Sequence, residues 1–365
     1  MKKVSILFCL NVFAFATTTF AQLPPVAQAL YTECYNADVL RGQYSVTNGV
    51  LVKATPDSNS FYLQWFPLNA TPASSPLLVT LHGTAGTAFD EFYLWHQYAA
   101  AHGVGIIAIQ WYRGAAASPP NDYFDDVMLY RDIDTALTRI QYPSNNAFFH
   151  GFSRGSAMSY AIAFRDQEIP LGKNYFCTVM SNSGKADSTY YLYNQINAGT
   201  YGHSLFNGLQ WAMYCGGLDP GPLTCCNAMN NSRNWVQANG GTVGLYISDP
   251  NLGHGGFHQT PAYIDSALNF YLQCYTPTSV HPENLNKTNF QLFPNPVENK
   301  VTLTCQNGAG GYLAIYDAWG ILRKELILES DLTQIDLSDF TAGIYFVQFA
   351  QGNQRIGSQK LVIIK

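Results

Sequence analysis

The sequence predicts a mostly parallel, doubly wound α/β domain followed by a small all-β sandwich. Short apolar runs alternate with amphipathic segments between about Phe61 and Gln273. A G-x-S-x-G pentapeptide, Gly151 to Gly155, lies between one such run and one such segment. Near Tyr275 the texture changes to a turn-rich linker and then to short alternating strands. At 365 residues the chain has room for one large and one small domain, since domains run to roughly 50–250 residues.

The elements follow in order. Phe61–Trp65 reads as a strand, and Leu77–Leu81 and Val104–Ile109 as continuous apolar runs, the first ending in His82-Gly83. Asp125 to Ile140 places Val127, Tyr130, Ile133, Leu137 and Ile140 at helical spacing. Asp125 and Asp126 open it, where carboxylates suit the N-terminal dipole. Ala147–Gly151 is a strand and Ser153–Phe164 a helix rich in small residues. Phe176–Met180, Gln210–Tyr214 and Val243–Ile247 are further strands. Pro261–Gln273 closes the region as a helix, with Pro where a missing N–H costs nothing. Strands apolar on both faces, separated by helices, indicate a parallel sheet covered on both sides. Lys185–Leu209 and Cys215–Gly241 lack a clear period and are expected to form a cap or walls over a cleft.

Hydrophobic residues make up 47% and charged ones 12%, a balance that fills a large core and argues against extended disorder. The net charge is -5 with no Lys/Arg-rich stretch, so the electrostatic footprint for nucleic acid or an anionic membrane is missing. Met1-Lys2-Lys3, the apolar run Val4 to Ala16 and the small residues Thr19 and Ala21 form a secretory signal, expected to be cut after Ala21. Cys9 follows bulky Phe8 inside that run, which does not suit a lipoprotein cleavage site. No later segment is long and apolar enough to cross a bilayer. The expected organisation is therefore a signal at 1–21, a catalytic domain at 22–275, a linker at 276–288 and a β domain at 289–365. The mature protein is expected to be secreted or on the cell surface.

Seven cysteines remain after the signal: Cys34, Cys177, Cys215, Cys225, Cys226, Cys274 and Cys305. In an exported protein they favour disulfides, and they lack the CxxC spacing that places two thiolates on one metal. Cys34 and Cys274 bracket the large domain and are candidates for a clamp between its ends. Six cysteines there permit up to three bridges, and adjacent Cys225 and Cys226 need different partners.

The pentapeptide carries the chemistry. A sharp strand-to-helix turn lifts a serine into a strained, exposed position, and glycines leave space for that turn. The helix N-terminus then brings N–H groups and a positive dipole end near a developing oxyanion. This strand–elbow–helix is the nucleophile site of the α/β-hydrolase fold, with Ser153 as nucleophile. Leu81-His82-Gly83-Thr84 ends an earlier strand, so the N–H groups of Thr84 and Arg154 fit the two places of an oxyanion hole. The acid and base should follow in the order Ser…Asp…His. Asp219 follows the strand Gln210–Tyr214, and His254 follows the last strand between glycines that let its loop reach back. His258 and Asp249 remain competitors. Asp249 is so near His254 in the chain that it would have trouble reaching the far nitrogen. His96, His102, His150 and His203 show no metal-ligand spacing and suit surface or satisfied core roles. Trp111 and Tyr112 after a strand end, and Tyr190, Tyr191 and Tyr193 in an insertion, are candidates to line an acyl or aromatic pocket.

Leu81-His82-Gly83 with the later Gly86, the Asp125-Asp126-Val127 helix and the elbow together resemble the secreted feruloyl-esterase and polyhydroxybutyrate-depolymerase group of α/β-hydrolases. The similarity covers Leu77 to Phe164 well and the rest of the domain loosely. The chain departs from that group at Arg154 in the elbow and lacks the Trp-Pro that often follows the histidine there. The C-terminal region resembles the sorting domain of the Bacteroidetes type IX secretion system. The motifs are Phe290-Gln-Leu-Phe-Pro-Asn-Pro-Val297, Asp317-Ala-Trp-Gly320, Ala342-Gly-Ile-Tyr-Phe-Val347 and Lys360-Leu-Val-Ile-Ile-Lys365. The resemblance implies delivery to that machinery and no catalytic role for this domain. The expected activity is carboxylic-ester hydrolysis through an acyl-enzyme with no metal or organic cofactor, on polysaccharide-linked or polyester substrates. The rivals are a peptidase on the same fold and a non-catalytic binding protein whose Ser, His and Asp do not assemble.

Overall fold

A computed structural model of the chain describes residues 23–276 and 290–365, apart from residues 69, 169–171, 189–190, 203, 306–308, 318–321 and 352–353. The expected signal peptide, linker residues 277–288, Tyr190, His203 and the Ala318-Trp319-Gly320 turn lie outside the described residues. The chain divides into two compact units between Thr278 and Ser279.

The first unit runs α1 (Pro25–Ala37), α2 (Val39–Thr47), β1 (Leu51–Ala54), β2 (Phe61–Trp65), β3 (Leu77–Leu81), α3 (Ala88–Ala101) and β4 (Gly105–Ile109). It continues with α4 (Asp126–Arg139), β5 (Ala147–Phe152), α5 (Arg154–Gln167), β6 (Phe176–Asn182), α6 (Tyr191–Asn197) and β7 (Gln210–Gly216). The last elements are α7 (Cys226–Ala238), β8 (Thr242–Asp249), α8 (Gly256–Gln259) and α9 (Pro261–Cys274). The strands form one eight-stranded sheet in the order β1-β2-β4-β3-β5-β6-β7-β8. Only β2 runs against the others. This is the α/β-hydrolase architecture.

The apolar runs are explained by burial on both faces. In β3, Leu77, Val79 and Leu81 join the core under α4, α5 and α7, while Leu78 joins the core under α1, α3 and α9, as alternate side chains of a strand must. Helix α4 starts where the two aspartates predict: Asp125 is the N-cap, its carboxylate accepting the Met128 N–H at 2.8 Å. Helix α3 opens with a capping box between Thr87 and Asp90, a device whose loss costs about 1 kcal/mol. The buried residues of α3, Phe89, Phe92, Trp95, His96 and Ala99, follow the helical period, but its exposed face holds Tyr93, Ala100 and Ala101, so the sequence shows little polar contrast there. Lys185–Leu209 is no detached cap: Leu192, Ile196, Phe206 and Leu209 pack into the core beneath it.

The cysteine expectation needs correction. Cys274, at the end of α9, bonds Cys177 of β6 and not Cys34, which is free and on the buried face of α1. Cys215 of β7 bonds Cys226 at the start of α7, and Cys225 stays free. Two bridges therefore form among the described residues. The shorter one closes the loop after β7.

The second unit holds β9 (Phe290–Phe293), β10 (Lys300–Cys305), β11 (Tyr312–Asp317), β12 (Leu322–Ile327), β13 (Leu332–Asp336), β14 (Gly343–Gln351) and β15 (Gln354–Ile363). Its strands form two antiparallel sheets, β13-β10-β9 and β12-β11-β14-β15. Phe290, Leu303 and Ile335 from one sheet share a core with Ile315, Val347 and Leu361 from the other. The result is the small β-sandwich that the alternating pattern predicts. Strand β13 gave no signal because only Ile335 is buried on it.

Candidate active site

The carboxyl ends of β3, β5, β7 and β8 come together at one edge of the parallel sheet, where ligands of open α/β sheets bind. Ser153 stands between β5 and α5 with φ +54° and ψ −112°. That strained conformation costs about 1–3 kcal/mol and persists only where the surroundings impose it. They do so here. A Cβ on Gly151 would lie 2.1 Å from the Gly155 carbonyl oxygen, and one on Gly155 would lie 2.6 Å from that of Leu81. The Ser153 N–H donates to the Asn182 carbonyl at 2.8 Å, fixing the turn to β6.

The loops after β7 and β8 are joined by backbone bonds, Gly217 N to Asp249 O at 2.6 Å and Leu218 N to Leu252 O at 2.9 Å. This pairing brings Asp219 against His254. Asp219 Oδ2 is 2.7 Å from His254 Nδ1, and His254 Nε2 is 2.8 Å from Ser153 Oγ. A carboxylate only accepts, so the imidazole proton sits on Nδ1 and Nε2 is left to accept from the serine hydroxyl. The other carboxylate oxygen accepts from the Gly221 N–H and the Thr224 hydroxyl, each at 2.9 Å. Burial pushes the Asp219 carboxyl up, but its bonds to Gly221, His254 and Thr224 outweigh this and hold it below the usual carboxylate range.

The competitors are placed elsewhere. Asp249 accepts from the Tyr263 hydroxyl at 2.5 Å and the Asn251 N–H at 2.8 Å. His258 points into the interior, against Trp95, His150 and Phe257.

The Gly83–Gly86 turn packs against the elbow: a Cβ on Gly83 would lie 3.0 Å from Ser153 Cβ. Tyr123 props this turn, its hydroxyl accepting the Ala85 N–H at 2.8 Å. The same ring lies 3.8 Å beneath the Arg154 guanidinium, which is half-exposed and 3.8 Å from Asp122. Arg154 opens α5, so its N–H has no acceptor one turn back. Trp111 does not line a pocket, contrary to expectation. It is 1% exposed and its indole N–H donates to the His82 carbonyl at 3.0 Å, bracing the turn from below. Tyr112 is half-buried beside Tyr123. A recess lined by Ala157, Ala186, Leu192, Tyr193 and Trp235 opens one helical turn beyond Ser153, with Tyr193 stacked on Trp235 at 5.0 Å.

One group was missed by sequence reasoning. Glu91 of α3, His150 of β5 and His258 of α8 converge behind the elbow, their ligand-type atoms within 4.8 Å of one another. The three positions span 168 residues with no motif spacing, so only the fold reveals them.

Residues 291–365 match the family described as the secretion system C-terminal sorting domain. The protein therefore carries a tail read by the type IX secretion machinery, and it is secreted or displayed at the cell surface. No curated protein matches the chain. Among solved structures, the first unit resembles a bifunctional GH43-CE protein of Bacteroides eggerthii, at 14% identity and TM-score 0.46 over 58% of this chain. The chain spans 33% of that structure's length. A fungal esterase of Rhizomucor miehei matches at 12% identity and TM-score 0.46, over 68% of this chain and 96% of that one. A bacterial heroin esterase matches at 15% identity and TM-score 0.46, over 71% and 100%. Likeness at this level does not extend to substrate or residue roles. No helix among the described residues is long and apolar enough to cross a membrane.

Proposed function

We propose that the protein is a secreted serine hydrolase that cleaves carboxylic esters through an acyl-enzyme. The reading rests on one observation, the unbroken chain Asp219–His254–Ser153 with contacts of 2.7 and 2.8 Å. Ser153 Oγ attacks the ester carbonyl while His254 Nε2 takes its proton. Asp219, kept ionised by its other bonds, holds the imidazole in the tautomer that can accept and stabilises the imidazolium that forms. The carbonyl oxygen becomes an oxyanion facing the N–H groups of Thr84 and Arg154, one on the propped turn and one at the positive end of α5. The imidazolium then protonates the leaving alcohol. Water attacks the acyl-enzyme by the same route in reverse. Such assembly also favours an enzyme over a binding protein on the same fold.

The recess beyond Ser153, walled by Tyr193 and Trp235 with Asp187 at its lining, is only water-sized, so an acyl group would lie over it and not within it. The substrate class is an ester outside the cell, such as a polysaccharide decoration or a polyester. The test is hydrolysis of a p-nitrophenyl ester series by the full chain and by Ser153→Ala. Turnover that the substitution abolishes supports the reading. A folded wild-type protein that hydrolyses none of the series, nor any aryl ester, contradicts it.

A further inference from the structure

We propose that Glu91, His150 and His258 form a binding site for a single Zn2+ ion that ties the base of the active site together. The first observation is geometric: a carboxylate oxygen and two imidazole nitrogens lie within 4.8 Å of one another. Tetrahedral Zn2+ with bonds of about 2.0 Å holds its ligand atoms about 3.3 Å apart, so binding requires this set to close by up to about 1.5 Å. His150 Nδ1 is already 3.4 Å from Glu91 Oε2.

The second observation is an imbalance of charge and bonding. Glu91 is 1% exposed, and no lysine or arginine pairs with it among the described residues. The groups facing it are His82, His150, His258 and the Thr80 hydroxyl, with Asp90 beside it in the chain adding a like charge. A buried carboxylate without a cation is costly. His258 Nε2 is likewise buried with no hydrogen-bond partner. One divalent cation answers both deficits.

An ion held by Glu91 Oε2 and His150 Nδ1 would displace the Thr80 hydroxyl that bridges them, and Asn182, its amide turned so that the oxygen accepts, is left as the outer support on His150 Nε2. Thr80 Oγ1 lies 2.7 Å from Glu91 Oε2 and 2.9 Å from His150 Nδ1, and Asn182 Nδ2 lies 3.3 Å from His150 Nε2. An oxygen and two nitrogens suit Zn2+ over the all-oxygen preference of Ca2+ and Mg2+. Each ligand belongs to an element that carries one part of the active site. Helix α3 begins just after the Gly83–Gly86 turn, His150 is three residues before Ser153, and His258 is four residues after His254. The ion would fix these three elements to one another without touching the reacting atoms, so its role is structural.

The test uses the full chain, loaded with Zn2+, dialysed and analysed by mass spectrometry for metal content, beside Glu91→Gln and His258→Gln. The expected result is about one Zn2+ per wild-type chain, a Tm several degrees above the metal-free protein, and loss of both in each variant. Co2+ in place of Zn2+ should give the visible absorption of a tetrahedral site, absent in His258→Gln. If Glu91→Gln fails to fold, His258→Gln decides alone. A wild-type chain that retains no Zn2+, or variants that retain as much as wild type, overturns the proposal. None of these measurements uses an ester, so their outcome is separate from that of the proposed hydrolase.

Discussion

The Phe152 ring touches two histidines, His254 at 5.0 Å and His258 at 5.7 Å between ring centres. Both belong with a carboxylate, Asp219 for one and Glu91 for the other, yet the two groups differ in every other respect. His254 is part-exposed and fully engaged, with one nitrogen on a carboxylate and the other on a hydroxyl. His258 has a sealed nitrogen with no partner, and its carboxylate neighbour has no cation. Each group sets a histidine near a carboxylate; solvent access and bonding set what each can do. On the proposed readings the first pair moves a proton and the second holds an ion.

This contrast sets the expected effects. Ser153→Ala and His254→Ala should each lower kcat about 10⁶-fold, and the double variant should be little worse, as in residues that act as a unit. Asp219→Asn should lose about 10⁴-fold by stabilising the wrong tautomer, whereas Asp249→Asn should leave kcat within a few-fold. Steady-state rates on one aryl ester check all five. His258→Gln tested without metal should change kcat by well under tenfold; a loss as large as that of His254→Ala would make the buried group part of the reaction.

The two disulfides sharpen the comparison through stability. Cys177–Cys274 spans 97 residues and Cys215–Cys226 spans 11. Chain entropy alone values such loops at about 4.7 and about 3 kcal/mol. Cys177→Ser should therefore lower the denaturation midpoint more, with kcat unchanged. Cys226→Ser should lower it less but cut kcat, because its loop holds Asp219.

The smallest expected effect is away from both groups. Burial, and then the nearby Asp57, push the Asp132 carboxyl up to about 7 against the pull of Arg131, Arg139 and Arg113. The folded state thus binds a proton between about pH 4 and 7 that the unfolded state has released. Stability from this residue is full below that window and is lost as pH rises through it. Asp132→Asn should raise Tm by a few degrees at pH 8 and by almost nothing at pH 4, measured by thermal scans at both.

What the sequence revealed follows from how local each signal is. Ser153 was legible because the elbow needs two glycines and a serine within five residues. That His254 and Asp219 meet Ser153 was legible because each lies just past a strand in the required order, and the rivals Asp249 and His258 are set apart by contacts that no spacing encodes. The sheet was legible from apolar runs buried on both faces. Helix α3 was not, since its exposed face carries Tyr93, Ala100 and Ala101 beside Gln97, so little polar contrast marks its period. Trp111 was misplaced for a related reason: an aromatic after a strand reads the same whether it lines a cleft or braces a turn from within. Cysteine pairing depends on which elements lie side by side, so Cys274 found Cys177 and not the more distant end of the domain at Cys34. Glu91, His150 and His258 come from helix α3, strand β5 and the short helix α8, and nothing local to any of them points to the other two.

The central claim is that Ser153 is an activated nucleophile. It is tested most directly by treating the full chain with a fluorophosphonate and measuring intact mass, followed by peptide mapping. The account predicts one adduct per chain, on Ser153, and none on Ser153→Ala or His254→Ala. A folded wild-type chain that stays unlabelled, or an adduct that survives in Ser153→Ala, would contradict it.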